Sequence, residues 1–186
     1  TISFTAGGPV DTLEKLHALN WGDDLARLRA TGFAEDAGLT LGTPYQVDYL
    51  SLDAVAHGSP TEAVHTTQWR NLLHGGGRAL AEVESDGAGD PIALHEGPAK
   101  DGLEAAIAQA ESLGPDFTAR VVQSAPLKFS ALKLEGDGKE LFIPYPPNLT
   151  PLPNYQVIPA DEAFAILKPL AAQILEASKG SDTSGG

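Results

Sequence analysis

The chain has no cysteine, no methionine, few basic residues and no long apolar run, and each of these lacks removes a class of function. Without cysteine there can be no disulfide framework, thiolate zinc site, iron–sulfur cluster or cysteine nucleophile, while the compartment stays open. Without methionine the chain resists sulfoxide damage. No apolar stretch approaches the roughly 18 to 20 residues of a membrane-spanning helix. The reading is a soluble protein with no membrane insertion, either cytoplasmic or exported after removal of a targeting segment.

Only 12 residues are Lys or Arg, against 25 Asp or Glu, which gives a net charge of -13. Charged residues total just 20 %, so the imbalance reflects scarce cations rather than abundant acids. No dense carboxylate row suggests a phosphate-mimicking decoy. Scattered cations argue against nucleic-acid binding, which needs clustered Lys and Arg to displace counterions. Anionic membranes are disfavoured by the same sign.

At 186 residues the chain fits one domain. A domain of this size buries roughly 70 % of the surface its unfolded form exposes. The expectation is a single α+β domain over 1–179 and a disordered tail over 180–186, where "GSDTSGG" has nothing to bury. Helices are expected over 11–20 and 21–32, the first with Asp11 and Glu14 in capping positions, the second stopped at Gly32. A strand is expected over 44–52. The strongest helix start is "SPTE", with Ser59 as cap, Pro60 at the first helical position and Glu62 completing the box, predicting a helix from Pro60 to about His74. "RALAEV" and "PIALHE" flank a Gly/Asp-rich turn and predict a hairpin. "KDGLEAAIAQAESLG" is helical in period, and "FTARVVQ", "LKFSALKL" and "ELFIPY" read as successive strands. A last helix follows Pro159, kinked or divided at Pro169. The sum is an α+β fold with a mostly antiparallel sheet, made of the hairpin and a C-terminal meander, packed with about five helices.

Several motifs suggest chemistry and then fail their own geometry. "LLHGGG", 72–77, resembles an oxyanion-hole loop, but it follows a helix signal and no Gly-x-Ser-x-Gly occurs in the chain. A helix C-terminus explains it, with His74 favoured by the dipole and the glycines supplying positive φ. "SALK" places Ser130 and Lys133 three apart in a strand, hence on opposite faces, where no serine–lysine pair forms. His65 and His74 are nine apart and fall on opposite sides of a helix, so they cannot chelate together, and no metal site is assigned. "DGAGD" and "EGDG" lack the oxygen series of a calcium loop and read as turns. No glycine run has phosphate-loop or dinucleotide-loop spacing, and no cofactor is assigned. Trp69 is expected in the core, on one helical face with Leu72 and Leu73.

Two functional readings remain. The first is a non-catalytic binding or assembly domain that recognises a protein partner or a small apolar ligand, self-association included. Its candidate surface is the segment from Tyr145 to Tyr155, where four prolines hold an extended strip between two tyrosines. The alternative is a small hydrolase or lyase whose site assembles in three dimensions, with His95 as base, Glu96 or Asp90 orienting it, and His65 nearby. The "ALHEG" context, a strand end before a helix, favours a cleft position. If the strip is a surface, Tyr145→Ala and Tyr155→Ala should weaken association and leave the thermal midpoint nearly unchanged; a large fall in the midpoint makes them core residues instead.

Overall fold

Two sheets and five helices make up the described residues of the computed structural model, namely 1–18, 21–30, 38–58 and 64–182. The larger sheet contains β1 (Ile2–Phe4), β3 (Val47–Tyr49), β4 (Val64–His65), β8 (Phe117–Ser124), β9 (Phe129–Gly136), β10 (Lys139–Pro144) and β11 (Ile158–Pro159). Its order is β11-β10-β9-β8-β3-β4, with β1 also on β8. The smaller sheet is antiparallel, in the order β2 (Thr40–Leu41), β5 (Trp69–Gly75), β6 (Arg78–Ser85), β7 (Pro91–His95).

The α+β class stands, but the expected mostly antiparallel sheet is corrected: the larger sheet is mixed. Ile2 to Phe4 run parallel to Phe117 to Ala119, and Val47 to Tyr49 run parallel to Val121 to Gln123, so β1 and β3 share one edge of β8 end to end. Parallel neighbours require long crossovers. Between β3 and β8 the chain inserts most of the smaller sheet and the helix α4 (Ala99–Glu111). Arg120 of β8 ties the seam by donating to both oxygens of buried Asp48, at 2.7 and 2.8 Å, and to Thr5 Oγ1 at 2.8 Å.

The second correction concerns the helix expected from Pro60 to His74. Residues 59–63, which carry the capping signal, lie outside the described residues, as do 19–20 and 31–37 at the ends of the first two expected helices. From Val64 to Gly75 the chain is β4 and then β5, not helix. The glycines of "HGGG" therefore turn a hairpin: Gly76 and Gly77 have φ of 61° and 78°, the two successive positive values a tight β5–β6 connection needs. Leu72 and Leu73 then point to opposite faces, and both are buried because both faces are covered. Adjacent buried Leu72 and Leu73 interrupt the alternation of this strand, which weakens the sign that separates it from a helix.

Three apolar layers follow. The helices α1 (Thr12–Ala18) and α2 (Gly22–Ala30) cover the outer face of the smaller sheet through Leu16, Leu25 and Leu28 on Leu73 and Val83. The helices α3 (Leu52–His57) and α5 (Ala160–Asp182) cover the outer face of the larger sheet through Val55, Phe164 and Leu167 on Phe129 and Phe142. Between the sheets lies α4, whose Leu103, Ala106 and Ala110 meet Val121, Leu132 and Ile143 of the larger sheet and Leu72 of the smaller. The last helix runs unbroken through Pro169 and reaches Asp182, into the segment read as a tail; 183–186 are outside the described residues.

Tyr145 belongs to this central layer at 0 % exposure, which corrects the reading of an exposed tyrosine strip. It continues the alternation Leu141, Ile143, Tyr145 past the end of β10. Tyr155, at the other end of the segment, is 39 % exposed. Tyr145→Ala should cost about 3 to 5 kcal/mol, as for other large aromatic truncations in cores. Tyr155→Ala should cost less than about 1 kcal/mol. Urea unfolding of the two variants checks the contrast, and equal losses would contradict the burial.

Candidate functional site

The hairpin places polar residues at every second position of one face, and that face is turned inward. Arg70, Leu72 and His74 alternate along β5, Glu82 and Glu84 along β6, and the register sets Leu72 opposite Glu82 and Glu82 opposite His95. The reverse face carries Leu73, Ala81 and Val83 against α1 and α2. A sheet face with five ionisable side chains turned toward α4 and the larger sheet is costly unless each is paired, since buried charge is poorly solvated.

Each of the five has a partner. Glu82 is almost wholly buried and accepts a short hydrogen bond from the Tyr45 hydroxyl on one oxygen, while Arg70 Nη1 stands 3.7 Å from the other. His74 Nε2 donates to Glu104 Oε1 of α4 at 2.9 Å, and Glu104 Oε2 accepts from the Ala79 backbone at 3.3 Å. His95 Nε2 donates to Glu84 Oε2 at 2.9 Å. Tyr45 joins the two sheets: its backbone exchanges two 2.8 Å hydrogen bonds with Arg70, its ring packs on Phe4, and its hydroxyl reaches Glu82.

Two openings lie along this face, on either side of the Tyr45–Glu82 contact. The first is a cavity of about 450 Å³ between the sheets, with Ile2, Phe4, Leu72 and Ile107 on its walls and His74, Glu104 and Glu111 among its polar lining. The ring of Tyr45 forms part of it. The second, near the N-terminus of α4, holds Arg70, Glu82 and His95.

The sequence-based candidates are partly brought together. His95 ends β7 and lines the second opening, and its carboxylate partner is Glu84 rather than Glu96 or Asp90. Glu96 turns instead to Arg27, 2.6 Å from Nη1, and Asp90 to Lys15 at 3.1 Å. His65 lies on β4, paired with Asp48 at the edge of the larger sheet, and its side chain is outside the described set. Arg70, Glu82, Glu84, Tyr45 and Glu104 were missed. Their signal was the period-two pattern Arg70-x-Leu72-x-His74 and Glu82-x-Glu84, visible only once 69–75 is read as a strand.

No family model matches the chain, and no curated protein or solved structure matches it either. Among the described residues there is no group of three or more His, Asp or Glu placed to hold a metal ion, and no helix long and apolar enough to cross a membrane.

Burial raises the ionisation of the Tyr45 and Tyr145 hydroxyls above the ordinary 10.0, and the nearby negative charge of Glu82 adds to the effect in both. Both hydroxyls therefore keep their protons in the folded chain at pH values where an unfolded tyrosine loses its own. Stability should be level to about pH 9 and fall above pH 10, by up to about 1.4 kcal/mol per pH unit for each buried tyrosine. Urea titrations across pH 8 to 11 check this sign. In Tyr145→Phe the slope should shrink by one tyrosine's share, and an unchanged slope would mean that this hydroxyl ionises as freely folded as unfolded.

Proposed function

We propose that this chain is a non-catalytic binding domain that holds a small amphipathic molecule in the cavity between its two sheets. The observation that carries the reading is the cavity itself: about 450 Å³, apolar along Ile2, Phe4, Leu72 and Ile107, and ended by the His74–Glu104 pair. Ligand sites in general are concave, mainly apolar and oriented by a few polar groups. Carboxylates at Glu104 and Glu111, in a chain of net charge -13, favour a ligand whose polar head is neutral or cationic. The apolar body lies against β1 and β5, and the head reaches α4.

Octylamine, octanol and octanoate, measured by isothermal titration calorimetry, test the reading. Amine and alcohol should bind and octanoate should bind at least tenfold more weakly. Ile107→Trp, which fills the cavity from α4, should remove binding while circular dichroism keeps the native spectrum. Heat from none of the three ligands, or equal binding by Ile107→Trp, sinks the proposal.

A second reading is the hydrolase or lyase with His95 as general base. What favours it is the 2.9 Å His95–Glu84 hydrogen bond at the second opening, since a carboxylate partner fixes the orientation of the ring. It predicts turnover of p-nitrophenyl esters that falls at least about a hundredfold in His95→Ala. A wild-type protein with no turnover ends it.

A further inference from the structure

We infer that the paired hollows around Arg70 bind the carboxyl terminus of a partner polypeptide that ends in an apolar residue. The site is separate from the cavity between the sheets, and the inference does not rest on that cavity being filled. One hollow, of about 480 Å³, is lined by Arg70, Glu82, His95 and the start of α4 at Pro98 and Ala99. Its neighbour, of about 370 Å³, is lined by Tyr49, Ser124, Phe129 and Leu149. Gln123 and Pro147 belong to both, so the two hollows form one trough.

Arg70 is the first reason. Its side chain is 11 % exposed, yet its two polar contacts are long, 3.4 Å to Tyr49 Oη and 3.7 Å to Glu82 Oε2. A charge-assisted bond of guanidinium to carboxylate is about 2.7 to 2.9 Å and is often bidentate. Arg120 shows that geometry in the same molecule, with Asp48 at 2.7 and 2.8 Å. Arg120 is a structural pair, whereas Arg70 keeps most of its donor fork for a second carboxylate.

A buried hydroxyl is the second reason. Among the described residues, Ser124 Oγ is buried without a hydrogen-bond partner. Ser124 lines the smaller hollow. Buried polar atoms without partners are rare, and beside a trough they suit the oxygens and N–H of an incoming backbone.

Charge and shape select the ligand. In a chain of net charge -13 the trough holds Arg70 and Lys128 against Glu82, while Glu96 is neutralised by Arg27 at 2.6 Å. The smaller hollow is mainly apolar, with Leu149 73 % exposed at its rim and Tyr49 half exposed beside it. A terminal Leu or Phe side chain fits there while its α-carboxylate meets Arg70. Enclosed sites cover 70 to 90 % or more of a small ligand. This trough lies open along one side, which suits the end of a chain that continues into solvent.

The test uses the intact protein and fluorescein-labelled hexapeptides ending in Leu, Ile, Val or Phe, each as free acid and as C-terminal amide, read by fluorescence anisotropy. The free acids of at least one ending should bind, with the amides at least tenfold weaker. Leu149→Asp, a change at an exposed rim position, should weaken the free acids tenfold or more with an unaltered circular dichroism spectrum. Arg70→Lys should do the same if it folds, but Leu149→Asp and the acid–amide comparison stand without it. Equal binding of acids and amides, no binding of any ending up to millimolar concentration, or indifference to Leu149→Asp overturns the inference. Free 4-methylpentanoate competing as strongly, mole for mole, as the Leu-ended peptide would assign the trough to small acids and overturn the polypeptide partner.

Discussion

Tyr45 is the residue on which the arrangement turns. Its backbone closes a two-bond bridge with Arg70, which fastens the segment entering the larger sheet to the second residue of β5 in the smaller one. Its ring is buried against Phe4 of β1, and its hydroxyl is spent on Glu82 of β6. One side chain thus contacts both sheets. The helix α4 packs between the sheets, and both openings lie against it. If Tyr45 were a smaller apolar residue, Glu82 would be left with a distant guanidinium in a low-dielectric interior, where an unsatisfied carboxylate costs more than the hydrogen bond it replaces.

The inward face of the smaller sheet runs against the usual logic of a hairpin, which puts its polar side in water. Its apolar side is covered by α1 and α2, as expected. Its polar side is then covered again by α4 and the larger sheet, so that Arg70, Glu82 and Glu84 have to find partners inside the molecule, while His74 and His95 stay part-exposed. A well-packed apolar layer of the same volume is often as stable or more so than a set of buried ion pairs. The pairs here differ in tightness in a way that stability alone does not explain: His74–Glu104 and His95–Glu84 close at 2.9 Å, while Arg70 stays at 3.7 Å from Glu82. That unevenness sets the two histidine pairs apart from Arg70, whose guanidinium is only loosely engaged within the fold.

Most of the regular elements were legible because their signals are local. The Ala-rich period of α4, the alternating strands β8, β9 and β10, and the acidic first turn of α5 each sit within a dozen residues. The failure over 64–75 has a physical cause. A capping box at 59–62 is a real helix signal, but propensity yields to tertiary burial, and consecutive Leu72 and Leu73 serve two different cores. The parallel contacts of β8 were illegible for another reason: Ile2 and Phe117 are brought together by the path of the chain, and nothing near either residue announces it. His95 was expected at a strand end, where it does lie, but its partner was sought among sequence neighbours. The carboxylate came from Glu84, which antiparallel register brings across from the adjoining strand. Tyr145 was misplaced because its proline neighbours outweighed the alternation of Leu141, Ile143 and Tyr145, which already pointed it inward.

The glycine inside α4 shows how far the openings depend on close approach. Glycine in a helix interior costs about 0.8 to 1.0 kcal/mol relative to alanine, yet Gly102 sits in the second turn of this one. A Cβ there would stand 2.8 Å from the Pro146 carbonyl oxygen and 2.9 Å from Cδ2 of Tyr145, inside contact distance of both. The missing side chain lets the start of α4 lie directly on the proline-rich segment. That contact sets Pro98 and Ala99 on one wall and Pro147 on another, with Arg70 and Gln123 between them. The proline-rich segment therefore acts as a wall, held in place by Leu149 N–H on Lys128 O at 2.8 Å and by Asn148 Nδ2 on Leu152 O at 2.8 Å. Fixing that segment holds Pro147 and Leu149 in place relative to Arg70, so the shape of the trough is set by the fold before anything enters it.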